Sequence, residues 1–276
     1  MAFYRTNLPT HELVLGMIYT TFFLLLATNI NSVQALSFNF TKFPLHAVSA
    51  GITIQGDAEV LSNGVTALTK HLEPPPGTFI QSTGRILTSP LSLDNLASFA
   101  TSFSFVIEHT NVLQPTDGLM FFIAPEDTVI PPNSERGRFG VVDLKNAYNQ
   151  FVGVEFDLYA NKFDPNMNHI GIDVNSLIST KIAEWEWVSG SLSEVSVAYD
   201  FPSKTLSVLV NYANRRIATL VKIVDLKTVL PNTVRLGLAG ASITATAHDI
   251  HSWLISISEL KTNTSSASDK LQAISI

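Results

Sequence analysis

The stretch Val154–Asp173 limits what this chain can become more than any other. Along an extended chain, successive side chains point to opposite faces. Val154, Phe156 and Leu158 therefore share an apolar face, and Glu155 and Asp157 share the other. Asn161 and Asp164 follow in a short loop that Pro165 closes as a turn. His169 then opens a second alternating strand through Ile170, Gly171, Ile172 and Asp173. The stretch reads as a strand, an acidic loop and a second strand. Three carboxylates, one amide oxygen and one imidazole converge at one end of it. Negative groups gathered this closely call for a cation to neutralise them. Oxygen donors suit calcium, and a carboxylate–imidazole set suits manganese or another transition ion. Asp157 and Asp164 each carry two oxygens and can serve both. An EF-hand counted from Asp157 needs glycine at its sixth place and glutamate at its twelfth. Lys162 and Asn168 stand there, which excludes that loop.

The same two-residue period recurs along the chain. Ser37–Thr41, Thr101–Val106, Val195–Tyr199 and Leu206–Val210 all alternate. Turn residues separate them at Pro74–Gly77, Pro131–Asn133 and Pro202–Lys204. No long helical stripe is present, and Val224–Leu230 is expected to form only a brief helical turn. Strands and turns without helices predict an all-β sandwich or jelly roll. Only 14% of the 276 residues are charged, so a large core can be buried. A net charge of −6 without a basic cluster argues against nucleic acid or an anionic membrane as partner. There is no cysteine, so neither disulfides nor thiolate metal sites contribute.

The N-terminus addresses the chain to the secretory route. Leu13–Ala27 is apolar, Arg5 precedes it, and Val33, Gln34 and Ala35 form a small-residue cleavage site. Residues 1–35 read as a signal peptide, so the mature protein is expected outside the cell or in a vacuolar or symbiotic compartment. Residues 36–260 then form one domain, and 261–276 a flexible or processed tail. Asn39 and Asn263 each begin an acceptor triplet for N-glycosylation.

With the acidic stretch and the all-β pattern in place, the chain resembles the legume lectins over about residues 36 to 260. Beside the acidic stretch, the matching residues are Ser37–Phe40, Ile54–Ala58, Thr116–Phe122 and His248–Trp253. The resemblance implies a jelly-roll sandwich with a flat back sheet, a curved front sheet and a shallow sugar site at the metal end. It implies reversible Ca2+- and Mn2+-dependent binding of glycans and glycoproteins, without catalysis, by a homodimer or tetramer. Carried over by position, Glu155, Asp157, Asp164 and His169 would hold the manganese, with Ser179 holding a metal-bound water. Asp157, the Tyr159 carbonyl, Asn161 and Asp164 would hold the calcium. Asp117, the Gly137 N–H and Asn161 would hold the sugar, with Tyr159 stacked on its apolar face. In the family the peptide before Asp117 is cis.

The chain departs from the family at three places. Thr116 stands where alanine is usual, and Arg136 where a second glycine is frequent. The last loop, near Gly240–Ala245, is short, which resembles the mannose/glucose-binding class. A lectin-like storage, symbiosis or defence protein with weak or lost sugar binding is the alternative. A sandwich glycosidase using Glu184 and Glu186 is a third reading, because residues two apart on a strand share a face. That pair is expected to lie away from the sugar site.

Overall fold

A computed structural model describes residues 32–45, 51–71, 75, 78–109, 116–143, 148–212, 216–244 and 246–260. The expected signal peptide up to residue 31, the C-terminal tail and Asn263 lie outside the described residues. In chain order the strands begin with β1 (Ser32–Phe40), β2 (Thr53–Gly56), β3 (Glu59–Val60) and β4 (Thr66–Ala67). Next come β5 (Ser82–Leu87), β6 (Leu91–Ser92), β7 (Leu96–His109) and β8 (Gly118–Pro125). The acidic stretch supplies β9 (Tyr148–Asp157) and β10 (His169–Ser176), followed by β11 (Lys181–Glu184). The chain continues with β12 (Leu192–Asp200), β13 (Thr205–Asn211), β14 (Ile217–Ile223), β15 (Thr233–Ser242) and β16 (Thr246–Leu260). The first strand begins at Ser32, upstream of the expected cleavage point. The expected helical turn is the helix Leu226–Val229, capped by the Asp225 side chain, which accepts from the Lys227 N–H.

These strands form two antiparallel sheets of eight. The back sheet runs β14-β13-β12-β7-β16-β4-β3, with β1 also on β16. The front sheet runs β11-β10-β9-β8-β15-β5-β2, with β6 on β15. This is the all-β jelly-roll sandwich that the alternation predicts. Period-two patterning explains it strand by strand. In β12, Val195, Val197 and Tyr199 are buried while Glu194, Ser196 and Ala198 face outward. Outward serines pair across strands, with Ser102 Oγ 3.0 Å from Ser196 Oγ and Ser104 Oγ 2.6 Å from Ser252 Oγ.

Between the sheets lies an aromatic-rich core. Phe156 on β9 packs edge-on against Phe105, at 5.0 Å between centroids, and against Trp185, at 5.6 Å. Phe103 and Phe121 continue the cluster. Phe121, Trp185 and Trp253 are buried core residues. Phe122 is buried as well, but in a second, smaller core on the opposite face of the front sheet. There Met120 and Phe122 meet Phe139, Val141, Val142 and Leu177. The loops of residues 133–143 and 175–178 are therefore packed onto the front sheet's outer face rather than left in solvent. Anchoring Phe156 inward turns Glu155 and Asp157 outward, under these loops.

Candidate functional site

Strand register assembles the site. Opposite residues of paired strands share a face. One row across the front sheet reads Thr83, Ala241, Gly118, Asp157, His169 and Glu184. The next row, two residues along, reads Arg85, Ala239, Met120, Glu155, Gly171 and Ile182. Glu155, Asp157 and His169 thereby come together, with donor atoms all within 4.8 Å of one another and all three side chains buried. His169 Nε2 lies 3.0 Å from Glu155 Oε1. Asp164 stands at the loop side of this group. Its Oδ2 accepts from the Asn161 N–H at 2.8 Å, and the Asp157 Oδ1 accepts from the Tyr159 N–H at 2.7 Å. Asn161 Nδ2 donates to the Tyr159 carbonyl at 3.2 Å. Tyr159, Asn161 and Asp164 are thus folded against the strand end that carries Asp157.

Two residues of this site escaped the sequence reading. Asp173 is fully buried on the same face as His169, two positions beyond Gly171. Ser179 Oγ lies 2.6 Å from Glu155 Oε1 and 2.8 Å from Asp173 Oδ1. One hydroxyl proton can serve only one of these carboxyl groups at a time. Gly171 is the second. A Cβ there would stand 1.8 Å from Ser179 Oγ and 2.5 Å from Glu155 Oε1. Only hydrogen fits between the two. The alternation His169, Gly171, Asp173 carried the signal for both.

The electrostatics are those of a cation site. Burial, with Glu155 next, pushes Asp157 well above the ordinary carboxylate range. Burial and then Glu155 do the same to Asp173. Burial also raises Asp164. Burial pulls His169 down, but its hydrogen bond and charge interaction with Glu155 outweigh that and leave it raised. Asp173 Oδ2 and His169 Nδ1 are buried without a hydrogen-bond partner among the described residues. Carboxylates, an amide and an imidazole with this much unrelieved charge fit calcium and a transition ion.

Beside this group lies the expected sugar site. The Thr116–Asp117 peptide is cis. The Asp117 carbonyl accepts from the Leu158 N–H at 2.9 Å, and its own N–H donates to the Ala241 carbonyl at 2.9 Å. Its side-chain Oδ2 is buried and has no partner among the described residues. Burial raises Asp117 to about 7, against the opposing charges of Arg136 and Arg138. Gly137 sits so close to Asn161 that a Cβ would meet Nδ2 at 2.4 Å. Tyr159 is 41% exposed, so its ring is open to a ligand. Asp117, Gly137, Asn161 and Tyr159 are all held around the end of β9.

Glu184, of the pair Glu184 and Glu186, stands opposite His169 on the neighbouring strand, three strands across from Gly118 in the same row. Alternation gives which face a residue shares, but pairing register decides its neighbours. Glu186 is ion-paired with Arg216. Thr116 is absorbed rather than disruptive. Its Oγ1 lies 2.9 Å from Thr244 Oγ1 and accepts from the Ile243 N–H at 3.1 Å. Ser242 Oγ donates to the Thr244 carbonyl at 2.7 Å. The short last loop is thus tied inward by its own hydroxyls. Asn39 is exposed on β1, and His248 is a buried packing residue held by Thr69.

Residues 35–272 match the family model described as the Legume lectin domain. The nodule lectin of Pisum sativum is 52% identical over 275 residues, covering 98% of this chain and 100% of that protein. Among solved structures, peanut lectin with a nine-residue peptide superposes with a TM-score of 0.76 at 41% identity, covering 83% of this chain and 100% of that one. Lectin UEA-II in complex with galactose gives 0.72 at 37% identity, covering 80% and 98%.

Replacing Gly171 by alanine should drive Ser179 and Glu155 apart. Isothermal titration with Mn2+ should show affinity lowered by about tenfold or more, while the far-ultraviolet spectrum stays β-rich. Unchanged affinity would contradict the packing described. A pH effect follows from the raised carboxyls. Their folded values lie above those of the unfolded chain, so in ion-free protein their stabilising contribution is full below about pH 4 and is lost as pH rises through each folded value, about 7 for Asp117. Bound cations reverse that preference by competing with the protons. The rise in melting temperature on adding Ca2+ and Mn2+ to chelated protein should therefore be larger near pH 7.5 than near pH 5, as read by scanning calorimetry.

Proposed function

The chain belongs to the legume lectin family, and from that premise we propose a secreted lectin that binds mannose/glucose-type glycans reversibly and depends on Ca2+ and Mn2+. That it is a carbohydrate-binding lectin follows from the family. The observation that carries the site assignment is the convergence of Asp117, Gly137 and Asn161 at the end of β9, beside the buried acidic group. Glu155, Asp157, Asp164 and His169 would hold the transition ion. Asp157, Asp164, Asn161 and the Tyr159 carbonyl would hold calcium. When bound, the ions supply the positive charge that these buried carboxylates lack and fix the orientation of the loop amide.

This chain's own residues do the recognition. A pyranose presents neighbouring hydroxyls that each donate and accept. The Asp117 carboxylate accepts from two of them, the Gly137 N–H donates, and Asn161 Nδ2 donates. The Tyr159 ring covers the C–H face that hydroxyls leave bare. Gly137 lets the ligand reach the backbone, where a side chain would collide with Asn161. Ser242 and Thr244 are engaged with Thr116 and with each other, so they leave the far side of the ring open. That opening supports the mannose/glucose assignment. The same inward-turned loop favours the second reading, a lectin-like protein with weakened binding, because it offers the sugar no side chain.

A glycan array run with and without chelator separates the two readings. Binding of mannose- or glucose-terminated glycans that disappears on chelation is the expected result. Galactose-terminated binding would overturn the sugar assignment alone, and no binding at all would favour the second reading. Asn161→Asp removes the amide donor and should cut affinity by at least about tenfold with the sandwich intact.

We also propose that two or more copies associate and that the leader directs secretion. The small-residue outer face of the back sheet and the outer edge of β1 support pairing, which would convert weak single-site contacts into avidity. The native mass of secreted protein, before and after N-glycan removal, should report a dimer or tetramer carrying a glycan at Asn39. A monomer of unmodified mass would refute both.

A further inference from the structure

A line of buried hydroxyls leads away from the sugar site to an imidazole at the end of the sandwich. Thr116, the residue before Asp117, starts it. Its Oγ1 lies 2.9 Å from Thr244 Oγ1, which lies 3.0 Å from Thr246 Oγ1. Thr246 Oγ1 lies 2.9 Å from His109 Nδ1 and accepts from the Thr116 N–H at 3.3 Å. Thr116, Thr244 and Thr246 are buried, and His109 is half-buried at the end of β7. Register makes the junction, because His109 stands directly opposite Thr246 on β16. The His109 N–H donates to Ser189 Oγ at 2.9 Å, which holds the backbone there. Thr116 supplies a hydroxyl that alanine at this position would lack.

Each hydroxyl has one proton, so the line has a direction, and His109 sets it. With Nδ1 unprotonated, Thr246 donates to His109. Thr246 Oγ1 then accepts from the Thr244 hydroxyl and the Thr116 N–H, and Thr244 accepts from the Thr116 hydroxyl. In the cationic ring both nitrogens donate. Nδ1 then donates to Thr246, Thr246 to Thr244, and Thr244 to Thr116. The Thr116 proton is left with Ser242 Oγ at 3.4 Å, in place of the 2.9 Å bond to Thr244. Thr116 Oγ1 also accepts from the Ile243 N–H at 3.1 Å, and Ser242 Oγ donates to the Thr244 carbonyl at 2.7 Å. The bond that lengthens therefore joins the last loop to the residue before Asp117.

The charged groups on the surrounding elements leave this role to His109. His248, the next inward residue on β16, is buried, and burial lowers it to about 3. Its Nδ1 faces Thr69 Oγ1, which donates to the Thr246 carbonyl at 3.1 Å. Glu108 and Asp249 point to the outer face of the back sheet, where Asp249 pairs with His71 and feels the charge of His251. Glu186, in the segment before Ser189, is ion-paired with Arg216. Residues 110–115 contain no titratable side chain. On the front-sheet side stands Asp117 itself. An imidazole is the ordinary side chain that changes charge between pH 5 and 8. We propose that His109 is a positioning residue for sugar binding, whose protonation reverses the hydroxyl line, loosens the Thr116 anchor and lowers affinity in acid. The proposal rests on the lectin reading above and adds a pH response to the same site.

Titration calorimetry tests this in the full protein, with Ca2+ and Mn2+ saturating and methyl α-mannoside and methyl α-galactoside as probes. The readout is the ratio of affinity at pH 7.5 to affinity at pH 5.5. Asp117 titrates in every variant, so comparing ratios removes its share. The wild-type ratio should exceed that of His109→Gln by at least about threefold, the low end of what one hydrogen bond contributes. Thr246→Val keeps His109 but cuts the line, and should share the ratio of His109→Gln. Thr246→Ser restores the hydroxyl and should restore the wild-type ratio. Melting temperatures at both pH values report whether each variant is folded. His109 is half-buried at a strand end, so His109→Gln carries the test if Thr246→Val does not fold. A His109 that only packs would change affinity equally at both pH values. Equal ratios in wild type and His109→Gln overturn the proposal and leave the lectin reading standing. So does a wild-type ratio in folded Thr246→Val. A wild type that binds neither probe at either pH overturns both.

Discussion

Glu155, Asp157 and His169 are held within 4.8 Å of one another in the buried end of two paired strands. Two like charges about 4 Å apart repel by about 4 kcal/mol at an effective dielectric near 20. Water is excluded from this group, so it cannot relieve the repulsion. The protein must protonate the carboxyls or bind cations, and the raised Asp157, Asp164 and Asp173 express that choice. The surrounding loop residues are fixed by the same group. Tyr159 is tied to Asp157, and Asn161 to Asp164. The Asn161 amide is therefore placed by the acidic cluster rather than by a packing contact of its own.

The sandwich makes this arrangement affordable in the physical sense that nearly everything else about β9 is apolar. Phe156 and Val154 are buried in the main core on one side, and the second core of Met120, Phe122 and Phe139 lies on the other. That second core also holds the 133–143 loop on the front sheet, which brings Gly137 to Asn161. The site is built from rigid strand ends and a packed loop. A shallow sugar site needs this, because a ring with few buried contacts cannot order a mobile loop at its own expense.

The alternation of β9 and β10 was readable because period two in sequence is period two in space. It placed Glu155 and Asp157 on one face and His169 at the start of the next strand before any pairing was known. The loop residues Asn161 and Asp164 were readable through their spacing and Pro165. Gly171 and Asp173 followed the same alternation but were passed over, since a glycine and a strand aspartate each have commoner explanations. That Glu184 faces His169 was not legible, because it depends on a register between β10 and β11, and no local pattern encodes register. In isolation, Thr116 read only as a departure from the usual alanine. Its partners Ile243 and Thr244 are more than a hundred positions away, and they convert it into the anchor of the last loop.

By itself, the sequence determined the all-β class, the buried faces of the strands and the chemical identity of the acidic group on β9 and β10. Those properties reside in neighbours along the chain, within the reach of one strand or one turn. Only the tertiary structure decided which strands lie side by side, how the last loop folds on Thr116, and that a line of hydroxyls joins Thr116 to His109. Those outcomes depend on antiparallel register and on packing between segments far apart in sequence, where one residue of slip would turn every side chain to the opposite face.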